Sequence, residues 1–360
     1  MNDILQDHRQ SLTLCMIVKN ESRVIKRCLL SVLPFINEYC IVDTGSTDNT
    51  VEIIAETLKH LPGEVHFRPW VNFSHNRNEC LSLAKGTYLL TIDADDTLEY
   101  EAGFCLPPLI TVGYYLHVKH GSLGHKQTHI IRSDVGWKYE GVTHEVLVCS
   151  QMNKIQELVG LTYKIGNDGA NRPNKFKRDI ELLEHELFVH PNDARAQFYL
   201  AQSYRDDRNF GAAIDAYAKR IAMGGWQEEV WISYLELAKM QPSINSYLRV
   251  YEMRPIRAEP LCNLAIYLRT IGRIKQAYPF ALAASSLPIP KDEVLFVDED
   301  VYTWKSLDEL GVSGYWTEQY QTALDACETL LNGCHLPPEQ RPRIEDNKRH
   351  CLIKLGKIIP

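Results

Sequence analysis

Residues 89–98 read LLTIDADDTL, a short apolar run that ends in three carboxylates, Asp93, Asp95 and Asp96, followed by Thr97. Apolar residues over this length, closed by polar ones, predict a buried strand. In open α/β sheets the ligand crevice lies outside the carboxyl ends of the strands, so acids gathered there point to a site. The pattern D-x-D-x-T alone allows two chemistries. One carboxylate can attack a substrate directly, or two can clamp a cation. The surrounding sequence has to decide between them.

Upstream, strand and helix alternate. LTLCMIV (12–18) reads as a buried strand, and the next helix carries Ile25, Cys28, Leu29, Val32 and Leu33 at i, i+3, i+4, i+7 and i+8. YCIVD (39–43) is a second strand; it leads through TGST into a helix bearing Val51, Ile54, Ala55 and Leu58. EVHFR (64–68) is a third strand, SHNRNECLSLAK (74–85) a helix stopped by Gly86, and TYLLTID (87–93) a fourth strand. This βαβαβαβ order predicts an α/β domain with a Rossmann-like, mainly parallel sheet and helices on both faces. Three strand ends, Lys19-Asn20-Glu21, Asp43 with TGSTDNT, and Asp93-Ala94-Asp95, then converge on one edge.

From about Lys175 the period changes to continuous helix-turn-helix, punctuated by Pro191 and Gly224-Gly225. Phe210/Ala213, Ile274/Ala277 and Tyr320/Ala323 repeat a large-to-small spacing that lets helices approach closely, as in degenerate tetratricopeptide arrays. The expected division is therefore an α/β domain over 1–174 and an all-α tetratricopeptide-like array over 175–360.

A net charge of −7 gives no bulk attraction to nucleic acid or anionic membrane. The ten cysteines include no C-x-x-C pair and several fall in apolar periodic segments, as reduced buried thiols do. The first apolar run is too short for a membrane span, so no span is expected and the cytoplasm is the expected location.

As D-x-D-x-T, the motif resembles that of haloacid dehalogenase-like phosphatases, with VLFVDED (294–300) posing as their distal acidic motif. Three strands precede the motif here and little α/β chain follows it, which argues against that placement. CMIVKNESRVIKRCLLSVLPFINEYCIVDTGSTDNT (15–50) instead resembles the opening of family 2 glycosyltransferases of the GT-A fold. NFSHNRNECLSLAKGTYLLTIDADD (72–96) resembles their Arg-Asn helix and D-x-D strand. Four motifs in order over about the first hundred residues carry the likeness. The helical half is similar to that of a subgroup with tetratricopeptide-like C-terminal domains, to which peptide S-glycosyltransferases are distantly related.

The resemblance implies a metal-dependent, inverting transfer from a nucleotide sugar, expected to be a UDP-sugar. A departing diphosphate favours a hard ion on carboxylate oxygens, and no Cys/His cluster marks zinc, so Mn²⁺ or Mg²⁺ is expected. Asp95 is the expected metal ligand, with Asp93 and Ala94 beside the ribose or the ion's waters. Asp43 resembles the family residue that accepts a hydrogen bond from uracil. Val18, Asn20 and Glu21 would meet the ribose or base edge, and Arg77 and Asn78 the diphosphate or sugar. WKYEGVTHEVL (137–147) resembles the later motif that closes the site. It offers His144 as a further metal ligand and Glu145 as the general base, with Asp96 the rival base. The helical array is expected to dock the acceptor, of glycan, peptide, protein or modified nucleic acid class, or to pair two copies of the chain. A catalytically inactive sugar-nucleotide-binding scaffold is the alternative.

Overall fold

The computed structural model describes residues 10–121, 123–166, 168–169, 175–333 and 335–357. They fall into two compact units, Met1–Gly121 with His125–Asp207, and Ser122–Gly124 with Arg208–Pro360.

The first unit opens as the alternation predicts, with β1 (Leu12–Val18), α1 (Ile25–Val32), β2 (Glu38–Asp43), α2 (Thr50–Thr57), β3 (Gly63–Phe67), α3 (Phe73–Leu83) and β4 (Tyr88–Thr91). There follow β5 (Thr97–Tyr100), β6 (Gly113–His120), β7 (Leu123–Arg132), β8 (Lys138–Glu140), β9 (Val146–Val148) and β10 (Gln156–Lys164). The strand order is β3-β2-β1-β4-β7-β6-β10-β5, and β8 and β9 form a separate ribbon. β1, β2, β3 and β4 are mutually parallel. β7 runs antiparallel to β4, and β5 antiparallel to β10, so the sheet as a whole is mixed.

Side-chain alternation assigns the helices to faces. Leu12, Leu14, Met16 and Val18 share one cluster with Ile25, Cys28, Leu29 and Val32 of α1 and Ile54 of α2. Cys15 and Cys40, in register on neighbouring strands, share the other face with Cys80 of α3. The side chain of Asn72 caps α3, accepting the His75 N–H at 2.8 Å. The nine described cysteines are free, whereas Cys334 lies outside the described residues.

The helical period begins at α4 (Lys175–Val189), followed by α5 (Ala194–Asp206), yet both belong to the compact unit of the sheet. The second unit holds α6 (Phe210–Met223), α7 (Gln227–Met240), α8 (Ile244–Met253), α9 (Glu259–Thr270), α10 (Ile274–Ser285), α11 (Ser306–Trp316), α12 (Tyr320–Asn332) and α13 (Arg341–Lys354). Each packs on its successor, as in a tetratricopeptide-like array. Ala213, Ala277 and Ala323 lie in the first turns of α6, α10 and α12 and are fully buried. Gly314 completes one such approach, since a Cβ there would stand 3.3 Å from the Ala323 Cβ. Among the described residues no helix is long and apolar enough to cross a membrane.

The interior of the helical unit is tied by charge as well as by apolar packing. The buried Arg257 pairs with Glu259 at 2.7 Å and Glu293 at 3.0 Å, while its guanidinium lies 4.2 Å from the Trp231 ring centroid. Removing one partner from such a set strands the others. Arg257→Met is expected to lower the unfolding free energy by about 3–5 kcal/mol, read by urea titration with tryptophan fluorescence. A loss below about 1 kcal/mol would reduce the network to the level of a surface ion pair.

Candidate active site

The carboxyl ends of β2, β1 and β4 stand side by side, because these strands are parallel neighbours. β2 ends at Asp43, and Gly45, at φ +107°, lets the chain turn back sharply. Asp43 is 1% exposed; its Oδ1 accepts the N–H groups of Gly45 and Ser46, each at 2.8 Å. Its Oδ2 is buried without a hydrogen-bond partner among the described residues. A buried carboxylate oxygen in that state is costly unless a ligand supplies the donor.

The residues expected beside it serve partly as scaffold. The Val18 carbonyl accepts the Thr44 N–H at 2.9 Å, joining the two strand ends. Asn20, left-handed at φ +58°, accepts the Thr47 N–H on Oδ1 at 2.7 Å and donates its own N–H to Ser46 Oγ at 2.9 Å. The Glu21 N–H donates to Thr50 Oγ1 at 2.8 Å, and its carbonyl accepts from Val24 and Ile25 at the start of α1. Asn20 and Glu21 therefore hold the TGST turn against β1, which shapes the crevice beside Asp43.

After β4 the acids separate by environment. Asp93 is partly exposed, and its Oδ1 accepts from Arg77 Nη2 at 2.7 Å. Arg77 Nε donates at 2.5 Å to Glu145 Oε1, so one guanidinium from α3 joins the D-x-D strand to the His-Glu segment. Burial acts to discharge Arg77, but Asp93 and Glu145 outweigh it and hold its pKa well above the ordinary arginine value. The guanidinium also stands 5.4 Å from the Tyr139 ring centroid. Ala94 is buried. Asp95 is partly exposed; its carbonyl accepts from Arg27 at 2.8 Å and its Oδ2 from the Gly169 N–H at 3.2 Å. Gly166 and Gly169 are required there, since a Cβ would fall 1.9 Å from the Asp95 carbonyl oxygen in the first case and 2.7 Å from its Oδ2 in the second.

Three of the expected residues have their side chains engaged within the protein. Asp96, the rival base, is 5% exposed, with one oxygen accepting from the Tyr163 hydroxyl and the other from the Gly166 N–H at 2.8 Å. Burial, reinforced by Asp93, raises its pKa to about 8, against the hydrogen bond from Tyr163. Both of its oxygens are thus engaged inside the protein. Asn78, expected at the diphosphate or sugar, exchanges two hydrogen bonds with the Tyr139 backbone, at 3.1 and 2.7 Å, and so fastens β8 to α3. His144, expected on the metal, stacks its ring on Tyr199 at 4.2 Å and 6°. Burial, then the charges of Lys175 and Arg195, depress its pKa to about 3. Cationic neighbours make a poor setting for a further cation.

Among the described residues no three His, Cys, Asp or Glu groups form a ready cation cage. Asp93 and Asp95 nevertheless fit Mn²⁺ or Mg²⁺, because such hard ions are commonly held by one or two carboxylates with substrate phosphates and water completing the shell. The VLFVDED segment falls in the helical unit, where Asp298 and Asp300 pair with Lys305.

Residues 13–110 match the profile of glycosyl transferase family 2. The sheet unit carries a family 2 glycosyltransferase domain. The glycosyltransferase SunS of Bacillus subtilis (strain 168) is 28% identical over 235 residues, 59% of this chain and 53% of SunS. The chain thus spans about half the length of that relative. A TPR repeat-containing protein of Synechococcus elongatus is 39% identical over 90 residues, 25% of this chain and 22% of that protein. Among solved structures, S. aureus TarS 1-349 in complex with UDP-GlcNAc aligns at 14% identity and a TM-score of 0.35, covering 76% of this chain and 91% of that one.

Several residues of the site gave no sequence signal. Tyr163, His129 and Arg27 reach the D-x-D strand from distant positions, and no local pattern announces them. His129 on β7 donates through Nδ1 to the Thr91 carbonyl, 3.0 Å away, and stacks on Tyr163 at 3.8 Å. Burial lowers its pKa to about 4. Below about pH 6.5 the unfolded chain takes up a proton that the folded chain refuses, so stability falls from there toward pH 4. Between pH 7 and pH 5 this residue is expected to remove about 2 kcal/mol. His129→Phe should flatten that part of the pH dependence in urea titrations, and an unchanged slope would refute a neutral buried imidazole.

Proposed function

We propose that the chain is a metal-dependent inverting glycosyltransferase. It moves a sugar from a nucleoside diphosphate sugar, a UDP-sugar, to an acceptor of glycan, peptide, protein or modified nucleic acid class. The observation that carries this reading is the Arg77 fork, which joins Asp93 of the D-x-D motif to Glu145, 68 residues along the chain from Arg77.

The unpartnered Asp43 Oδ2 suits the imide N–H of uracil, a donor that adenine lacks at the matching edge. Asp95 and Asp93 would hold the Mn²⁺ or Mg²⁺ ion, which when bound supplies positive charge to the departing diphosphate. Arg77 pairs with Asp93 and fixes Glu145 through one oxygen. The second oxygen of Glu145 has no hydrogen-bond partner among the described residues, which leaves it to take the acceptor's proton. The acceptor atom bonds to the anomeric carbon as the bond to the diphosphate oxygen breaks. A single displacement inverts that carbon. Asp96 and Tyr163 take no part in the proton transfer and keep the Asp93–Asp95 segment in place.

A panel of nucleotide sugars with Mn²⁺, scored by melting temperature and by release of nucleoside diphosphate, tests the donor class. A ligand that binds only the folded protein raises its melting temperature by mass action. UDP should protect more than ADP or GDP, and Asp43→Ala should weaken UDP by about 1–3 kcal/mol in calorimetry. Equal protection by all three diphosphates would overturn the uracil assignment. Asp95→Asn should keep the fold and lose turnover by orders of magnitude; near-normal turnover with Mn²⁺ would remove it from the metal site.

A further inference from the structure

The segment that presents Glu145 is strained. Gly141 has φ +109° and His144, with a full side chain, has φ +50°. A left-handed non-glycine residue costs roughly 1–2 kcal/mol and persists where its surroundings over-determine it. Those surroundings come from α4 and α5, which belong to the same compact unit as the sheet. Val142 packs against Leu183 of α4 and Ala196 and Leu200 of α5. Thr143 Oγ1 donates to Asp179 Oδ1 at 3.4 Å. Arg195 Nη2 donates to the His144 carbonyl at 3.2 Å, and the His144 ring lies flat on Tyr199. Three consecutive residues are thus gripped by one helical hairpin. On the other side α3 holds the ends of the segment, through Ser74 on the Gly141 carbonyl and Arg77 on Glu145.

We infer that the α4–α5 hairpin belongs to the catalytic unit, with Asp179, Arg195 and Tyr199 acting as positioning residues that hold the Thr143-His144 turn and thereby place Glu145. This rests on the reading of Glu145 as the general base. None of the three has to touch donor or acceptor. A base must come within hydrogen-bond reach of the proton it takes, and a displacement of about 1 Å can cost about a hundredfold in rate. Released from Tyr199 and Arg195, His144 would relax toward the ordinary α or β regions and swing the following residue off Arg77. The hairpin continues the helical period of the chain, yet its buried face serves the turn.

The test uses the full chain. In Tyr199→Leu the ring stack is lost, whereas Tyr199→Phe keeps it. Hydrogen exchange across residues 142–146 should accelerate at least about tenfold in Tyr199→Leu and remain near wild type in Tyr199→Phe, with β1 and β4 amides unchanged in both. No change across 142–146, or acceleration spread equally through β1 and β4, overturns the inference. The kinetic arm follows UDP release from UDP-glucose or UDP-GlcNAc with Mn²⁺, water serving as acceptor, beside UDP affinity by calorimetry. Tyr199→Leu should lower kcat about 10–100-fold with UDP affinity within about twofold of wild type. In a Glu145→Gln background the same change should have no further effect, because both act through one group. If Glu145→Gln slows turnover but Tyr199→Leu multiplies onto that loss, the base stands and the positioning role falls. If Glu145→Gln leaves turnover intact, the base reading fails and takes the inference with it.

Discussion

A single guanidinium organises the catalytic edge of the sheet unit. Arg77 is 13% exposed, a setting in which a lone cation would be expelled or discharged, and it stays charged because Asp93 and Glu145 face it at 2.7 and 2.5 Å. The reverse also holds, since two carboxylates this close would repel without the cation between them. Its position on α3 follows from ordinary packing. Cys80 of the same helix is buried against Cys15 and Cys40, and Asn72 caps the helix start, so Arg77 is aimed by a rigid element. Asn78, one residue on, fastens Tyr139 and with it the ribbon that leads to Glu145. Displacing α3 would therefore disturb the D-x-D strand and Glu145 together.

The three adjacent acids of the opening motif show how environment assigns roles to identical side chains. Asp93 and Asp95 are partly exposed at the strand end, where an ion and phosphates can reach them. Asp96 points into the protein, takes both its hydrogen bonds from Tyr163 and Gly166, and has its pKa pushed up to about 8 by burial. The surroundings of His144 set its state in the same way. Its ring is shielded and stacked, with cations as neighbours, so its contribution is to the shape of the turn. Pairs of titratable groups driven apart by their surroundings mark division of labour.

What could be read from the sequence, and what could not, follows the range of the forces involved. β1, α1 and β2 are written in short-range periodicity, and Ile25, Cys28, Leu29 and Val32 are all fully buried as their spacing requires. The placing of Asp43, Asp93 and Asp95 at neighbouring strand ends was legible because strand ends in a parallel sheet have a fixed relation to one another. The link from Arg77 to Glu145 spans 68 residues and the hydrogen bond from Tyr163 to Asp96 spans 67, and nothing local encodes either. Asn78 shows the opposite hazard, since its place beside Arg77 suggested a ligand contact while its amide is spent on the backbone of β8. The helical period beginning at Lys175 is plain in the sequence. Which unit α4 and α5 pack against is not, because periodicity gives a buried face without naming its partner.

The proposed function turns on one arrangement, a nucleotide sugar placed by Asp43 and Asp95 with Glu145 held opposite by Arg77. A crystal structure of the full chain with UDP and Mn²⁺ measures it directly. The uracil imide should donate to Asp43 Oδ2 at about 3 Å, the ion should bind Asp95 and the diphosphate, and Arg77 should still join Asp93 to Glu145. A nucleotide seated away from the ends of β1, β2 and β4, or an ion bound at His144 instead of Asp95, would contradict it.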